Sequence, residues 1–392
     1  MKTMIVLPSL AALPTWVSRI CCVGLAAWAA TVSAQEAVPF RSGSSGAFGP
    51  LNVTSNTVLD LPSDGVFHCT TVDIATGVTL RFNRNAANTP VRLLATGPVQ
   101  IEGTIDISGA DGQIWGQGGA GGPGAFDGGN TTPRLQPGQG PGGGRSNVNE
   151  PASHATAGGN VHTNLYGDPL LLSLVGGSGG AAVNVNAANR GGGGGGGAIL
   201  VASDVSIAHT GSILARGGVG AGQNHDNNGA GGSIRLVAPT VTGGGRLWAE
   251  SPDRWARGVG RVRIDSLNRA GFGFDHRAHY SAGANLIAQL PVEPVLRVVH
   301  VAGQDIPDSL APGTVRVFLP SGSSATQPVR IRAQLFRSVV PIRITLYPEN
   351  RDPIEIDDVI DNTSADPTEK EFAVEFPPNT PTRVHVWTRR AP

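Results

Sequence analysis

One hydrophobic pattern recurs between residues 65 and 264, where apolar and polar residues alternate on both sides of a glycine. Its clearest copy is segment 205–218, with apolar residues at positions 205, 207, 213 and 215 and a glycine at position 211. Alternation with a period of two is typical of a strand with one buried face. Further copies begin at Val72, Val99 and Val241. A strand–glycine–strand unit that recurs in this way predicts a stacked, solenoid-like array.

Shorter, nearly continuous apolar segments precede several of these copies. They occupy residues 91–95, 198–202 and 233–237. Segments that are apolar on both faces are typical of strands buried in a parallel sheet. Each unit then has three strands: an apolar one, an alternating one and a further one after the glycine. Three strands per unit predict a right-handed parallel β-helix over residues 51–265.

A glycine-rich insert over residues 109–197 interrupts the array. It contains seven consecutive glycines at 191–197, and its one apolar segment is residues 168–175. The composition is typical of a flexible linker, but the apolar segment requires burial. We expect the insert to leave the array and return to it, so that its deletion is tolerated. The alternative is that the glycine segments pack as extended strands, because no Cβ keeps their backbones apart.

The last part of the chain has a different pattern. Residues 266–294 lose the repeat, and we expect a connector or an end cap there. Seven short apolar segments follow, separated by turn residues, and they predict a small immunoglobulin-like β-sandwich over residues 295–392. These predicted strands are residues 295–301, 314–319, 329–335, 342–347, 354–359, 372–376 and 384–388. The whole chain is thus predicted to be all-β.

The first 34 residues have the pattern of a secretory signal peptide. Lys2 and Arg19 supply positive charge, residues 20–30 are apolar, and Val32-Ser33-Ala34 fits the cleavage pattern. A membrane anchor is the alternative, but the apolar run is short for a bilayer. We expect an exported protein, extracellular or at the cell surface, with the periplasm as another destination. The mature chain is expected to have no membrane span, and residues 35–50 to form a flexible lead-in.

Removal of this segment would leave Cys69 as the one cysteine of the chain. A single cysteine forms no internal disulfide bond, so a buried, inert thiol is expected rather than a reactive one. The 392 residues include 56 glycines, and the formal net charge is zero. A balanced charge gives no reason to expect nucleic acid or an anionic membrane as the main partner.

The repeated phrases resemble those of the glycine-rich β-helix proteins that many bacteria export. The phrases are Gly77-Val78-Thr79-Leu80, Val99 to Ile105, Gly176 to Gly180 and Gly191 to Leu200. The resemblance covers residues 60–265 and implies an architecture more than an activity. Related β-helices include adhesins and polysaccharide lyases. The resemblance to the lyases implies an acidic calcium cluster and a basic catalytic residue on the helix face, and no residues here match them one by one.

Four polar groups are candidates for chemistry, each with a simpler structural interpretation. Segment 224–228 could supply oxygen ligands to calcium, but a turn rich in Asn and Asp is favoured. Asp275, His276 and His279 could form an acid–base pair or bind metal, but glycines nearby favour ordinary loop histidines. Asp357, Asp358 and Asp361 indicate a solvated strand edge. The fourth group could form a carbohydrate surface, and isolated surface tryptophans are its simpler interpretation. It comprises Asp106, Asp111, Trp115, Arg254, Trp255 and Arg257.

These observations favour an exported structural or adhesin-like β-helix protein without catalytic activity. No catalytic, cofactor-binding or metal-binding residue is assigned, and no cofactor is expected. The alternatives are a polysaccharide lyase or hydrolase on the same fold and a non-catalytic carbohydrate-binding protein. Extracellular polysaccharide or cell-surface components are the expected partners in each case.

Overall fold

The computed structural model describes residues 39–146, 151–158, 165–223, 227–252, 258–269, 271, 273–289, 293–307 and 315–388. The predicted signal peptide lies outside the described residues. Within these ranges, no helix is long and apolar enough to cross a membrane. Almost all regular structure is β, as predicted, and the single helical element is the short 3₁₀ helix Ala221–Gln223.

Residues 49–283 form a β-helix-like solenoid of parallel strands in two sheets. The ten-stranded sheet has the order β14-β11-β6-β3-β5-β10-β13-β16-β18, with β1 on β3, and the six-stranded sheet the order β17-β15-β12-β7-β4-β2. The first strands are β1 (Gly49–Val53), β2 (Thr57–Asp60), β3 (Val66–Ile74), β4 (Thr79–Asn83), β5 (Val91–Ala95), β6 (Val99–Ile101) and β7 (Thr104–Asp106). The later ones are β10 (Ala198–Ser203), β11 (Ser206–His209), β12 (Ser212–Leu214), β13 (Ser233–Val237), β14 (Thr240–Thr242), β15 (Arg246–Trp248), β16 (Arg261–Asp265), β17 (Asp275–Arg277) and β18 (His279–Gly283).

Three strands make one turn of the solenoid, as the sequence pattern predicts. β5, β6 and β7 form one turn, and β10, β11 and β12 the next, with equivalent strands paired in parallel. Ile207 and Ile213 are fully buried in the solenoid core, whereas Ser206 and Ser212 are only partly buried. Burying an isoleucine stabilises a fold by about 1.5–3 kcal/mol. The stacked apolar positions of successive turns therefore supply the driving force for the array.

The continuous apolar strands are covered on both faces. β10 is buried at every position, and its outward residues join a second apolar cluster with Leu94 and Ala288. Part of the predicted flexible lead-in is docked here: Ser42 donates from its hydroxyl to the Ala95 carbonyl at 2.9 Å, and its amide donates to Asp204 at 2.6 Å. The described end of the lead-in thus helps to cover the ten-stranded sheet.

The segment predicted as a connector contains further strands. β17 pairs with β15, and β18 pairs with β16, so both solenoid sheets extend into residues 275–283. β17 was not visible in the pattern because all three of its side chains are exposed and polar. A terminal strand pairs through its backbone, and it needs no apolar face for that.

After β7 and after β12 the chain leaves the solenoid at the same corner. The described parts of these two excursions, within residues 107–197 and 215–232, pack side by side. We call the packed parts, residues 107–146, 176–197, 215–221 and 227–232, the glycine layer. It includes one hairpin, β8 (Val183–Val185) with β9 (Ala188–Arg190). Of the two alternatives left open by the sequence, the structure has packed extended segments and not a linker.

Residues 191–197 show how the glycine layer is built. Their amides donate in turn to three neighbouring segments, with Gly191, Gly194 and Gly197 reaching Gln113, Ala110 and Ile107. Their carbonyls accept from three other segments, at 119–122, 177–180 and 218–221. Because every third residue uses the same neighbour, the segment has the threefold repeat of a polyproline II helix. Six neighbours therefore surround it and satisfy its backbone groups.

Only glycine fits at the centre of this layer. A Cβ built at any position from 191 to 197 would lie 1.9–2.7 Å from a backbone carbonyl oxygen. Real atoms do not approach so closely, and a backbone atom cannot move aside as a flexible side chain can. The glycine composition is thus a packing requirement of the backbone, and the layer replaces a hydrophobic core with a hydrogen-bonded one.

Residues 295–388 form an antiparallel sandwich of two four-stranded sheets. We call them the β19 sheet, with the order β20-β19-β22-β25, and the β23 sheet, with the order β21-β26-β23-β24. All seven predicted strands are present, and β20 is an addition. The strands are β19 (Val295–Val301), β20 (Gln304–Asp305), β21 (Val315–Val317), β22 (Thr326–Gln334), β23 (Val339–Pro348), β24 (Ile354–Asp361), β25 (Thr368–Glu375) and β26 (Thr382–Thr388).

The sandwich contacts the glycine layer through the outer face of the β23 sheet. Arg134 forms an ion pair with Asp352 at 2.7 Å, and Tyr347 donates from its hydroxyl to the Gly140 carbonyl at 3.3 Å. Phe126 meets Trp387 edge to face, with ring centroids 5.2 Å apart. These contacts hold the sandwich against the layer and leave an open space beside them.

Candidate functional site

A cleft of about 1160 Å³ opens where the solenoid, the glycine layer and the sandwich meet. Its walls come from residues 84–92 after β4, 124–127 and 165–175 of the excursion, and 293–296 and 383–388 of the sandwich. A concavity of this size, with aromatic and charged groups in its wall, is the usual form of a ligand site. It is therefore the main candidate for function in the described part of the chain.

One strand of the sandwich supplies the most distinctive wall of the cleft. In β26, Val384 and Val386 point into the sandwich core. Because side chains alternate along a strand, Arg383, His385 and Trp387 share the opposite face, and all three line the cleft. The sequence pattern predicted this strand from its buried valines and not from its second face. The signal was present, since arginine, histidine and tryptophan alternate with valines there.

The aromatic groups of this wall form a stack. His385 lies on Trp387 with centroids 5.1 Å apart and an interplanar angle of 21°, and Tyr347 meets His385 edge to face at 5.3 Å. Neither ring nitrogen of His385 nor the Trp387 indole nitrogen has a hydrogen-bond partner among the described residues. Burial, aided by the nearby charge of Arg383, lowers the pKa of His385 to about 3. The ring is therefore neutral near pH 7.

The charged groups of the cleft are mostly paired. Arg84 binds Asp127 at 2.8 Å, and Arg92 binds Glu293. Arg316, which also lines the cleft, pairs with Glu349. Within the described part of the chain, Arg383 has no ion pair. It is thus the one cation in the cleft wall whose charge no described carboxylate balances.

The acids of the cleft are engaged within the protein. Asp168 accepts hydrogen bonds from the amides of Leu170 and Leu172, each at 2.9 Å. Tyr166 donates to the Gly176 carbonyl at 2.8 Å, and burial raises the pKa of its hydroxyl. These groups form part of the cleft wall, and their polar atoms are already hydrogen-bonded within the protein.

A second candidate surface lies on the outer face of the six-stranded sheet. The guanidinium groups of Arg277, Arg246 and Arg216 lie 4.4, 5.1 and 5.9 Å from the centre of the Trp248 ring. Glu250 pairs with both Arg216 and Arg277, at 3.0 and 3.3 Å. Because arginines lie over the ring and an acid balances two of them, this flat surface is a weaker binding candidate than the cleft.

Segment 224–228 was a candidate for calcium, with a turn as the favoured interpretation, and it is only partly described. Residues 224–226 lie outside the described residues. Asn227 and Asn228 are fully buried: Asn227 donates to the Gly191 carbonyl at 3.0 Å, and Asn228 accepts from the Gly220 amide at 2.8 Å. These two side chains support the glycine layer. Among the described residues, no three His, Cys, Asp or Glu side chains are grouped so that they could hold a metal ion.

The predicted histidine group lies in strands and not in a loop. Asp275 and His276 belong to β17, and His279 begins β18. Asp275 accepts from the Trp248 indole nitrogen at 3.2 Å, and His276 stacks on Tyr280 at 4.4 Å. The backbone pairing of the last solenoid turn therefore overrides the local glycines that indicated a loop.

The predicted carbohydrate residues have separate partners. Asp106 pairs with Arg81 at 2.8 Å on the six-stranded sheet, and Asp111 accepts from the Val219 amide at 2.7 Å in the glycine layer. Trp115 is 61% exposed. The remaining members, Arg254, Trp255 and Arg257, lie outside the described residues. No shared surface is formed by the members that the structure describes.

The remaining predictions concern Cys69 and the acidic strand. Cys69 is fully buried, and burial raises the pKa of its thiol to about 11, so the expectation of a buried thiol is confirmed. Asp357 and Asp358 lie on β24, which is the edge strand of its sheet, and Asp361 ends that strand. Asp357 pairs with Arg343 and Asp358 with Lys370. The acidic strand is a sheet edge, as predicted.

No family model, no curated protein and no solved structure matches this chain.

Proposed function

We propose that the protein is exported and binds extracellular polysaccharide at the cell surface without transforming it, as an adhesin does. The observation that carries the proposal is the cleft of about 1160 Å³ and the makeup of its wall. Aromatic side chains and arginines in one concavity suit a sugar, which has apolar ring faces and many hydrogen-bond acceptors. The glycine layer and the solenoid give this wall a rigid support.

Binding without catalysis is favoured by the state of the titratable groups. General acid–base catalysis requires a group that is accessible and has a pKa near the working pH. In the cleft, Asp127 and Glu293 are held in ion pairs, and Asp168 is held by two amides. His385 stays neutral because burial lowers its pKa to about 3. Each of these groups has a structural role already.

The proposal is tested with the chain that starts at Gln35, on an array of neutral and acidic polysaccharides. A variant that obstructs the cleft, Ala86→Trp, adds an indole at an exposed position of the wall. We expect it to weaken binding about tenfold or more, since loss of ~1.4 kcal/mol of contact is tenfold in Kd. The matched control, Ala325→Trp, changes an exposed alanine outside the cleft and should bind as the native chain does.

The same samples separate binding from the enzymatic alternative. A lyase releases unsaturated products that absorb ultraviolet light, and a hydrolase releases reducing ends. We expect neither from any polysaccharide that binds. Product formation that Ala86→Trp abolishes would replace the adhesin-like proposal with a lyase or hydrolase, and an array without any ligand would contradict both.

A further inference from the structure

Two arginines face each other across the wall of the cleft. Arg316 of β21 and Arg383 of β26 are directly opposite in an antiparallel ladder, and both line the cleft. Their neighbours Val315 and Val384 point into the core, so the two guanidinium groups share the outer face. Like charges directly opposite each other destabilise a pair of strands. The arrangement therefore lowers the stability of the free protein.

The protein supplies only part of the charge needed to offset this repulsion. Arg316 pairs with Glu349, and Arg383 has no ion pair among the described residues. The neighbour of Arg383 on its other side is Tyr347, whose pKa is raised by burial, so its hydroxyl stays protonated and neutral. Among the described residues, a carboxylate thus balances only one of the two guanidinium groups. An added anion between them would remove the imbalance.

We propose that Arg316 and Arg383 bind the carboxylate of an acidic sugar residue in the cleft. This inference rests on the proposed polysaccharide binding and names its ligand class, a polymer that contains uronate units. Guanidinium groups bind carboxylates through two parallel hydrogen bonds, which gives both affinity and orientation. Arg316 is exposed and Arg383 is partly buried, so the pair presents donors to the open side of the cleft.

The side chains next to Arg383 fit the same ligand. His385 and Trp387 follow on the same face of β26, each two residues further, at steps of about 6.6 Å. The wall thus changes from cationic to aromatic along one strand. A uronate unit has its carboxylate on one side of an apolar ring, so it can pair with the arginines while the polymer continues along the aromatic side chains.

The arginine cluster around Trp248 has no such pair of unbalanced like charges. Around Trp248, Glu250 is shared by two of the three arginines, and Asp275 lies directly opposite Arg246 in the ladder. Opposite charges face each other there, so the surface is balanced without a ligand. Two further arginine pairs are in register among the described strands, Arg235–Arg263 and Arg297–Arg332, and neither lines the cleft. The Arg316–Arg383 pair lies in the cleft wall.

The test compares one sugar backbone with and without charge. Oligogalacturonate, its fully methyl-esterified form and a sulfated galactan oligosaccharide are titrated calorimetrically into the full mature chain. We expect oligogalacturonate to bind, with an affinity that falls as salt is added. The methyl ester should bind at least about tenfold more weakly, a difference of ~1.4 kcal/mol. The sulfated arm shows whether the pair prefers carboxylate to sulfate, and equal affinity would contradict the carboxylate assignment.

Two variants test whether Arg383 binds the carboxylate of the oligomer. Arg383→Gln should weaken oligogalacturonate binding about tenfold and leave the methyl ester unaffected. Arg383→Glu places a carboxylate opposite Arg316, so it should abolish oligogalacturonate binding without lowering Tm, which excludes unfolding as the cause. Arg330→Gln is the control: it removes a partly buried, ion-paired arginine of the β19 sheet and should bind normally.

The outcomes separate this inference from the proposed function. If both esterified and free oligomers bind equally and Arg383→Gln changes neither, the carboxylate site is wrong and polysaccharide binding stands. If no oligomer or array polysaccharide binds, both are wrong. If Arg383→Glu binds oligogalacturonate as the native chain does, the arginine pair is not the site.

Discussion

At the scale of single residues, burial determines how much a substitution lowers the stability of the fold. Ile213 is fully buried, whereas its neighbour Ser212 is partly exposed and lies opposite Arg246. Ile213→Asp would bury an uncompensated charge, and we expect it to lower the free energy of unfolding by about 3–5 kcal/mol. Ser212→Asp should cost less than about 1 kcal/mol, because water and Arg246 solvate the new charge. Urea unfolding of both variants measures this, and equal losses would contradict the register.

A glycine of the layer is as intolerant of change as a core isoleucine. A Cβ at Gly194 would lie 2.1 Å from the Ala120 carbonyl oxygen. Gly194→Ala should therefore lower stability by about 3 kcal/mol or more, since neither backbone can move without breaking its neighbours' hydrogen bonds. Gly273→Ala is the matched control, because nothing lies within 4 Å of its Cβ. Equal unfolding midpoints for the two variants would show that the layer is looser than described.

The buried histidines predict how stability depends on pH. Burial lowers the pKa of His154 to about 4 and that of His385 to about 3, from an ordinary value of 6.5. At pH values between the lowered pKa of each histidine and 6.5, the unfolded chain binds more protons than the folded chain. Stability should therefore be highest above pH 6.5 and fall as the pH drops, by up to about 1.4 kcal/mol per pH unit for each histidine.

His385→Phe tests how much of the pH dependence of stability comes from His385, the buried histidine of the cleft wall. Neither ring nitrogen has a described hydrogen-bond partner, so phenylalanine can replace the ring without leaving a donor unsatisfied. Between pH 6 and pH 4 the variant should lose less stability than the native chain. Thermal unfolding at both values gives the two slopes, and identical slopes would mean that His385 is protonated in the folded protein.

At the scale of elements, the sequence was informative where one face of a strand is buried. The solenoid turns and all seven sandwich strands could be predicted, because period-two alternation reports burial directly. The strand β17 and the glycine layer could not be predicted from the sequence. β17 has no buried side chain, and glycine has no side chain whose pattern could be read. The layer forms through backbone hydrogen bonds between distant segments, and such pairing leaves no local signal.

The candidate site could not be predicted from the sequence for a related reason. Its residues come from segments as distant as 84–92 and 383–388. The alternation in β26 indicates which valines are buried, but it does not show what the opposite face contacts. What makes Arg383 unusual is its position opposite Arg316, and strand pairing across 67 residues cannot be seen in either segment alone.

At the scale of the whole molecule, the glycine layer joins the excursions into one folded unit. The amides of segments 119–122 and 177–180 donate backbone hydrogen bonds to the carbonyls of residues 191–197. Deleting residues 112–190 would remove them and leave buried backbone groups unsatisfied, each costing about 1–3 kcal/mol. In contrast to the expectation from loop entropy, we predict that this variant does not fold. Circular dichroism and protease resistance would measure this, and a soluble variant with native thermal stability would contradict the packed layer.

The same layer explains how a cleft can persist beside the sandwich. The sandwich rests on rigid backbone through Arg134–Asp352, Arg145–Glu355 and the Phe126–Trp387 contact. These contacts lie beside the open space and do not fill it. A preformed cleft binds a ligand without the cost of ordering its walls.

Amide hydrogen exchange with and without oligogalacturonate tests whether polysaccharide binds in the cleft. A ligand bound there should slow exchange in residues 84–92, 124–127 and 382–388 and leave exchange in β12, β15 and β17 unchanged. Slower exchange confined to those three strands would place the ligand on the Trp248 surface, and it would contradict the assignment of the cleft as the binding site.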